Sequence, residues 1–191
     1  MDCSKIIEDV LYECDNPPVA GIKQKVVLIN KSDILEVVKD NDPSTGKHRA
    51  TITLKEGKTG YFITGPEGSK IFTAGYTPNV ADDQPTDFTQ TVAVRVLNHG
   101  EKANILMNSL SQSGNVVAIV SKEQGYYEIY GLDAGLKLTE GGSNSNENKG
   151  ALSITLASKG IDTEPKTPYI YFDTDEATTE ANFENKLSAI V

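Results

Sequence analysis

The sequence is poor in the residue types that most often build active sites. It contains no tryptophan, two histidines and two cysteines among its 191 residues. His48 and His99 lie in neither an H-x-x-x-H nor an H-E-x-x-H pattern, and no cysteine is near them in sequence, so no zinc site is predicted. Cys3 and Cys14 belong to the apolar stripe of a predicted helix, which favours packing over a role as a nucleophile.

Long apolar runs and clustered positive charge are also missing. No apolar run approaches the roughly 20 residues that a membrane helix needs, and the opening MDCSKIIEDVLYECD has no basic segment, so no signal peptide is expected. The net charge of -9 comes from the ends, because residues 1–16 and 161–191 are acidic and residues 17–160 hold fifteen acids and fifteen bases. Without a basic stripe, tight sequence-independent binding of DNA or RNA is not expected.

Two short motifs are similar to nucleotide-binding signatures. Asn30-Lys31-Ser32-Asp33 matches the N-K-x-D pattern of GTPases, and Gly57-Lys58-Thr59 is similar to the end of a phosphate loop. A phosphate loop also needs a glycine where Ile52 stands and a helix behind the loop, but the strand pattern GYFITG follows instead. Both motifs are therefore predicted to be turns, in which Asn and Asp bond their own backbone.

Acidic and aromatic side chains give two further candidate sites. Asp173, Asp175 and Glu176 lack the spacing of a calcium-binding loop, so a solvated strand end is predicted there. Tyrosines 126, 127 and 130 could stack on a sugar or a base, but at hairpin spacing such residues more often pack a sheet or a subunit contact. No catalytic residue, metal ligand or cofactor site is predicted, so the chain is not expected to be an enzyme.

Strand patterns dominate the chain. In HRATITLKE, Ile52 and Leu54 alternate with Thr51 and Thr53, which is typical of a half-buried strand. Strands are also predicted in KVVLIN, YFIT, SKIFTAGY, FTQTVAVRVL, NVVAIV, YYEIY, GLKLTE, ALSITLAS and PYIYFDTD. The segment 77–87, with two prolines and three aspartates, is predicted to be an exposed loop, and the polar joint GGSNSNENKG at 141–150 is predicted to be mobile unless a partner holds it.

Helical periodicity is confined to three places. Residues 103, 106, 107 and 110 are apolar at i, i+3, i+4 and i+7, which predicts a helix over 101–113 that ends at Gly114. A short helix is predicted over 3–14 and a loosely amphipathic one in the tail. The predicted fold is a strand-dominated α+β domain over 19–175, a β-sandwich or barrel with one flanking helix, between a helical extension at 1–18 and a C-terminal extension at 176–191.

The segment TDFTQTVAVRVLNHGEKANILMNSLSQSGNVVAIVSKEQGYYEIYGLDAGLKL, continued by ALSITLASKG, resembles tail proteins of bacteriophages that infect Bacteroidetes-type bacteria. The opening has the same character, with an early cysteine, a second cysteine before Asn-Pro, and an apolar strand. The resemblance, to proteins of the tail-tube type, implies a non-enzymatic virion protein made in the host cytoplasm. Its implied partners are copies of itself in stacked rings and neighbouring tail, collar or portal proteins, with DNA as passing cargo and no membrane.

Two hypotheses follow from that resemblance. The tip at 141–150 is expected to become ordered on assembly, and acidic ends that face a lumen would repel DNA, so that changing Asp173, Asp175 and Glu176 to lysine should slow DNA ejection. The alternative is a carbohydrate- or surface-binding β-module of a fibre or cell envelope, which would use Tyr126, Tyr127, Tyr130, Tyr169 and Tyr171 as platforms. An enzyme whose site escapes motif reading is a third hypothesis.

Overall fold

The computed structural model describes residues 21–42, 46–66, 71–81, 84–97, 100–113, 115–144, 151–158 and 162–187. Within these ranges the chain is a strand-dominated α+β sandwich, which confirms the predicted class. No helix within them has the length and apolar character needed to cross a membrane. The predicted helix at 3–14, its cysteines, His99, Gly114 and residues 145–150 of the polar joint lie outside the described residues.

Eleven strands and two α-helices are present in the described ranges. The strands before the first helix are β1 (Ile22–Asn30), β2 (Ile34–Asp42), β3 (Lys47–Leu54), β4 (Tyr61–Thr64), β5 (Thr73–Ala81) and β6 (Gln84–Val96). After helix α1 (Glu101–Ser113) come β7 (Val116–Lys122), β8 (Tyr127–Tyr130), β9 (Lys137–Ser143), β10 (Leu152–Ala157), β11 (Tyr169–Tyr171) and helix α2 (Glu176–Glu184).

The strands form two sheets. The larger sheet has seven strands in the order β2-β3-β11-β8-β7-β1-β4, and the smaller has four in the order β5-β6-β10-β9. Neighbouring strands are antiparallel except β3 and β11, which are parallel. The chain therefore leaves the larger sheet after β4, builds the β5–β6 hairpin, and returns through α1 to β7.

Alternating side chains of the central strands supply two separate hydrophobic clusters. Val26 and Leu28 of β1 pack with Val92 and Val94 of β6 between the two sheets, whereas Val27 of β1 belongs to a second cluster on the other face of the larger sheet. Successive residues of a strand point to opposite faces, so a strand covered on both faces needs apolar residues at every position. This double burial explains the unbroken runs KVVLI and VVAIV.

The two helices cover different clusters. Helix α1 has the predicted bounds 101–113 and buries Ala103 and Leu110 in the cluster between the sheets. Helix α2 covers only residues 176–184 of the predicted tail, and its Phe183 is 1% exposed in the second cluster, where Leu187 follows it. The tail segment up to Leu187 is thus packed against the larger sheet.

The sequence prediction fails at three exposed places, one of which is the start of the polar joint, where residues 141–143 belong to β9. The predicted loop at 77–87 is wrong, because most of it belongs to the β5–β6 hairpin, in which Asn79 pairs with Asp87. Pro78 is tolerated since β5 is an outer strand, where a missing N–H costs no ladder bond. Strand β2 was not predicted, because most of its side chains are exposed and give no apolar alternation.

A buried carboxylate fixes the turn that connects β8 to β9. Glu164 is 2% exposed, and its carboxylate accepts backbone N–H groups of Asp133 at 3.0 Å, Ala134 at 2.8 Å and Gly135 at 3.3 Å. The backbone of Glu164 also pairs with Phe88 of β6 through two hydrogen bonds. One residue thereby joins the smaller sheet to a turn that leaves the larger one.

Gln90 of β6 makes a second connection of the same kind. Its side-chain oxygen accepts the N–H of Gly131 at 2.8 Å, and its amide nitrogen donates to the carbonyl of Lys166 at 3.0 Å. Its backbone N–H donates to the Ser158 hydroxyl at 2.8 Å. We refer to Glu164, Gln90 and the backbone groups of 131–135 that they bind as the polar clasp.

Glycine is required inside this turn. Gly135 has a φ of +87°, and a Cβ there would stand 1.5 Å from the Asn115 side-chain oxygen. Gly131 has a φ of +74° and would place a Cβ 2.5 Å from the Leu136 side chain. The letters GLDAG therefore encode a tight turn that only glycine permits at both ends.

We expect Glu164→Ala to lower the free energy of unfolding by about 2–4 kcal/mol, because the N–H groups of two partly buried residues and of the buried Gly135 lose a charged acceptor. Urea denaturation followed by circular dichroism measures this loss. Glu164→Gln keeps one carbonyl oxygen and should lose less, and the exposed Glu56→Ala is the control, expected to change stability by under about 0.5 kcal/mol. Equal stability of Glu164→Ala and the control would contradict the role of the clasp.

Candidate functional site

The two nucleotide-like motifs meet in space as a pair of turns. Residues Lys31–Asp33 form a short 3-10 turn in which the Asn30 amide donates to Asp33 at 2.9 Å, and Lys58 lies 3.5 Å from the same carboxylate. The Asn30 hydrogen bond, followed by Lys58 and Lys55, holds the pKa of Asp33 below its ordinary value. Strand β4 follows this contact, so the helix that a phosphate loop needs is not there.

His48 is part of the packing around β11. Its ring stacks on Tyr169 with centroids 4.1 Å apart, and Nε2 lies 3.1 Å from the carbonyl of Thr167. Among the described residues no group of three or more His, Cys, Asp or Glu is arranged to hold a metal ion.

The acidic residues at the end of β11 organise helix α2. Asp175 is its N-cap and accepts the backbone N–H of Thr178 at 2.7 Å, which lowers the pKa of that carboxyl. Asp173 accepts the Asn182 amide at 2.6 Å. Of the three acids singled out in the sequence, Glu176 alone is a surface charge with no hydrogen bond among those the structure describes. The predicted solvated strand end is thus a helix-capping segment.

The five tyrosines proposed as platforms divide into two groups. Tyr130, Tyr169 and Tyr171 are at most 4% exposed, so a ligand cannot stack on them without rearrangement. Burial raises the pKa of Tyr171 to about 12, and burial together with the Glu128 hydrogen bond raises the pKa of Tyr130. Tyr126 and Tyr127 are half-buried.

Tyr126 and Tyr127 line an open cleft of about 540 Å³ between the β7–β8 turn, β11 and α2. We call it the tyrosine cleft; it is also lined by Lys23, Arg49, Gln124, Glu176 and Glu180. Burial raises the pKa of both tyrosines, so both are neutral hydrogen-bonding groups at physiological pH.

The tyrosine cleft combines both signs of charge. Arg49 is held over the Phe172 ring at 4.2 Å, which presents its guanidinium on one wall, and Glu176 and Glu180 lie on α2. Aromatic faces beside amide, guanidinium and carboxylate groups are suited to a polyhydroxylated ligand. The tyrosine pattern pointed to part of this cleft, but Arg49, Lys23 and Glu180 carry no sequence signal because they come from distant parts of the chain.

A second kind of surface lies at the outer strands of the two sheets. Strand β2 ends the larger sheet with Leu35 64% exposed and Val38 56% exposed, and β5 ends the smaller one with Val80 76% exposed. Both strands are nine residues long and are paired on one side only within the described chain. Such edges present backbone N–H and C=O groups that another chain can pair.

Comparisons of this chain with protein-family models, with curated proteins and with solved structures found no match.

We expect Asp175→Ala to uncap α2 and lower the stability of the chain, whereas Asp175→Asn, which keeps a capping oxygen, should lose less. The depressed pKa of Asp175 means that its contribution is present above about pH 4 and is lost as the pH falls through its folded value. Denaturation at neutral pH and near pH 3 measures the difference between native chain and Asp175→Ala. A difference that does not shrink in acid would contradict the charged cap.

Proposed function

We propose that this chain is a structural protein of a bacteriophage tail, whose copies form a ring or a segment of a tube through which DNA passes. It acts without catalysis, and its location is the virion of a phage that infects Bacteroidetes-type bacteria. Its partners are copies of itself and the adjoining tail, collar or portal proteins.

The observation that carries this proposal is the pair of long, exposed outer strands. A sheet edge with exposed apolar side chains is a liability for a protein that works as a monomer, because it pairs with any suitable strand. The apolar residues Leu35, Val38 and Val80 lie on these edges, where contact with a second copy would cover them. Closure into a ring uses such edges without leaving one open.

The arrangement of the helices supports the same proposal. Helix α1 connects β6 to β7 beside the sandwich, which is the plan implied by the tail-tube resemblance. On α2, Glu176, Glu180 and Glu184 are exposed at intervals of four residues and so share one side of the helix. Glu184 is paired with Lys25, and Glu176 and Glu180 lie beside Lys23 and Arg49 in the tyrosine cleft, so the carboxylates of α2 would keep DNA from adhering to a lumen only where they outnumber these cations.

We expect the purified chain to form rings or short tubes, seen by negative-stain microscopy and sized by light scattering after gel filtration. Val38→Lys should weaken assembly at least tenfold while changing stability by under about 0.5 kcal/mol, because a lysine on an outer strand blocks edge pairing. Glu56→Lys, a lysine in an exposed turn that belongs to no strand, is the matched control. A chain that stays monomeric at high concentration would contradict the proposal.

The tyrosine cleft favours a second candidate, a carbohydrate-binding module. If this function is the right one, Tyr126→Ala and Arg49→Ala should each weaken glycan binding about tenfold, since stacking and hydrogen bonds to charged groups contribute on that scale. Tyr76→Ala, which removes a 51% exposed tyrosine of β5 outside the cleft, is the control. Glycan-array screening followed by calorimetry provides the measurement, and no binding to any glycan would exclude this candidate.

A further inference from the structure

The tyrosine cleft lies across the ends of five neighbouring strands, in the order β3-β11-β8-β7-β1. Tyr127 of β8 pairs with Tyr171 of β11, which pairs with Ala50 of β3, the neighbour of Arg49. On its other side, β8 pairs with the end of β7, which pairs in turn with the start of β1, the strand that carries Lys23. The cleft therefore has a cation at each end, with the two backbone positions four strand spacings, or about 19 Å, apart along the sheet.

Helix α2 runs along this cleft and forms one of its walls. The helix begins shortly after β11, and Glu184 in its last turn is paired with Lys25 of β1. Glu180 lies near Tyr127 of β8, because burial and then the carboxylates of Glu180 and Glu184 raise the pKa of that tyrosine. The helix thus passes from β11 across β8 to β1. The residues that it contributes to the lining of the cleft are Glu176, Thr179 and Glu180.

The two cations of the cleft have no carboxylate partner among the described residues. Arg49 contacts the Phe172 ring, and neither Arg49 nor Lys23 is in an ion pair there, whereas six other lysines of the described ranges are paired with carboxylates. Glu176 and Glu180 are likewise unpaired within these ranges. A guanidinium held against a ring presents its N–H groups to a planar anion such as a carboxylate.

The position of the cleft distinguishes among classes of extended ligand. A peptide commonly adds to a free sheet edge, but no described residue that lines the cleft belongs to an outer strand. A nucleic acid would bring a row of phosphates against a wall that carries two carboxylates. An oligosaccharide offers hydroxyl groups to carboxylate, amide and hydroxyl side chains, and the face of a sugar ring to a tyrosine.

We propose that the tyrosine cleft binds an acidic oligosaccharide lengthwise, with sugar carboxylates on Arg49 and Lys23 and sugar rings against the two tyrosines between them. The carboxylates of α2 accept hydroxyl protons of the same chain. This inference rests on the second candidate function, the carbohydrate-binding module, and names its ligand as a carboxylated sugar chain long enough to reach both cations. It is independent of ring formation, which the outer strands would mediate.

Calorimetry with matched acidic and neutral sugars tests this proposal. The probes are oligomers of galacturonate, glucuronate, mannuronate and guluronate, from dimer to hexamer, and the same oligomers with their carboxylates converted to methyl esters. We expect at least one acidic series to bind, with an affinity that rises with length until the chain reaches both cations. Its longest member should bind at least tenfold more tightly than its ester, and added salt should reduce that difference.

Arg49→Gln and Lys23→Gln should each weaken binding of the longest acidic oligomer about tenfold, because each removes a charged hydrogen-bond donor. Either change should also abolish the gain in affinity with length, which a merely structural role of these residues would leave in place. Lys102→Gln, the loss of an exposed lysine of α1 outside the cleft, is the matched control. Should Arg49→Gln fail to fold, the exposed Lys23→Gln and the comparison of acid with ester still test the proposal.

Three results would overturn this inference. Equal affinity for acid and ester would leave a carbohydrate-binding module that does not recognise the carboxylate. Binding of none of the probes would remove the acidic ligand, and only a negative glycan array would exclude the second candidate as well. A single-stranded oligonucleotide of similar length, bound as tightly as the acidic sugar, would mean that the cleft binds any polyanion. Ring formation is measured separately by microscopy, so none of these results contradicts the proposed assembly.

Discussion

The polar clasp is the interaction on which the rest of this fold depends. A buried carboxylate is tolerated only when its oxygens are hydrogen-bonded, and Glu164 meets this condition with three N–H groups from one turn. Packing of the hydrophobic clusters stabilises the contact between the two sheets, but hydrophobic interactions are non-directional. Glu164 and Gln90 fix the turn through which the chain passes from β8 to β9. Helix α1 packs against β9, so the position of the helix depends on the same turn. The β5–β6 hairpin is anchored by the same residues, since Phe88 and Gln90 belong to β6.

The parts of the fold that were predictable are those with a local cause. The bounds of α1 follow from apolar residues at 103, 106, 107 and 110, and the alternation of β3 follows from Ile52 and Leu54. Strand β2 and the hairpin over 77–87 were missed because their strand geometry comes from cross-strand pairing with β3 and β6. Exposed outer strands show no alternation of apolar and polar residues. They are strands because they pair with a neighbouring strand, and that pairing cannot be read from their own sequence.

The candidate sites show the same division. Tyr126 and Tyr127 were predictable as surface aromatics, but only burial separates them from Tyr130, Tyr169 and Tyr171. The clasp left no sequence signal, because Glu164 lies about thirty residues from the turn that it binds and resembles any surface glutamate. Side chains whose roles depend on distant partners can be assigned only once topology is known, and the tyrosine cleft, built from β3, β8, β11 and α2, is of this kind.

The exposed edges and the buried clasp have opposite consequences for assembly. The clasp makes the subunit rigid where its sheets join, and a rigid subunit loses less conformational entropy when copies associate. The edges and the hairpin, by contrast, hold apolar side chains that folding of one copy leaves in water. Leu35, Val38 and Val80 lie on outer strands of two different sheets, where contact with further copies of the chain would cover them. A ring or tube would remove these side chains from solvent, which is why the proposed assembly accounts for the outer strands better than an isolated module does.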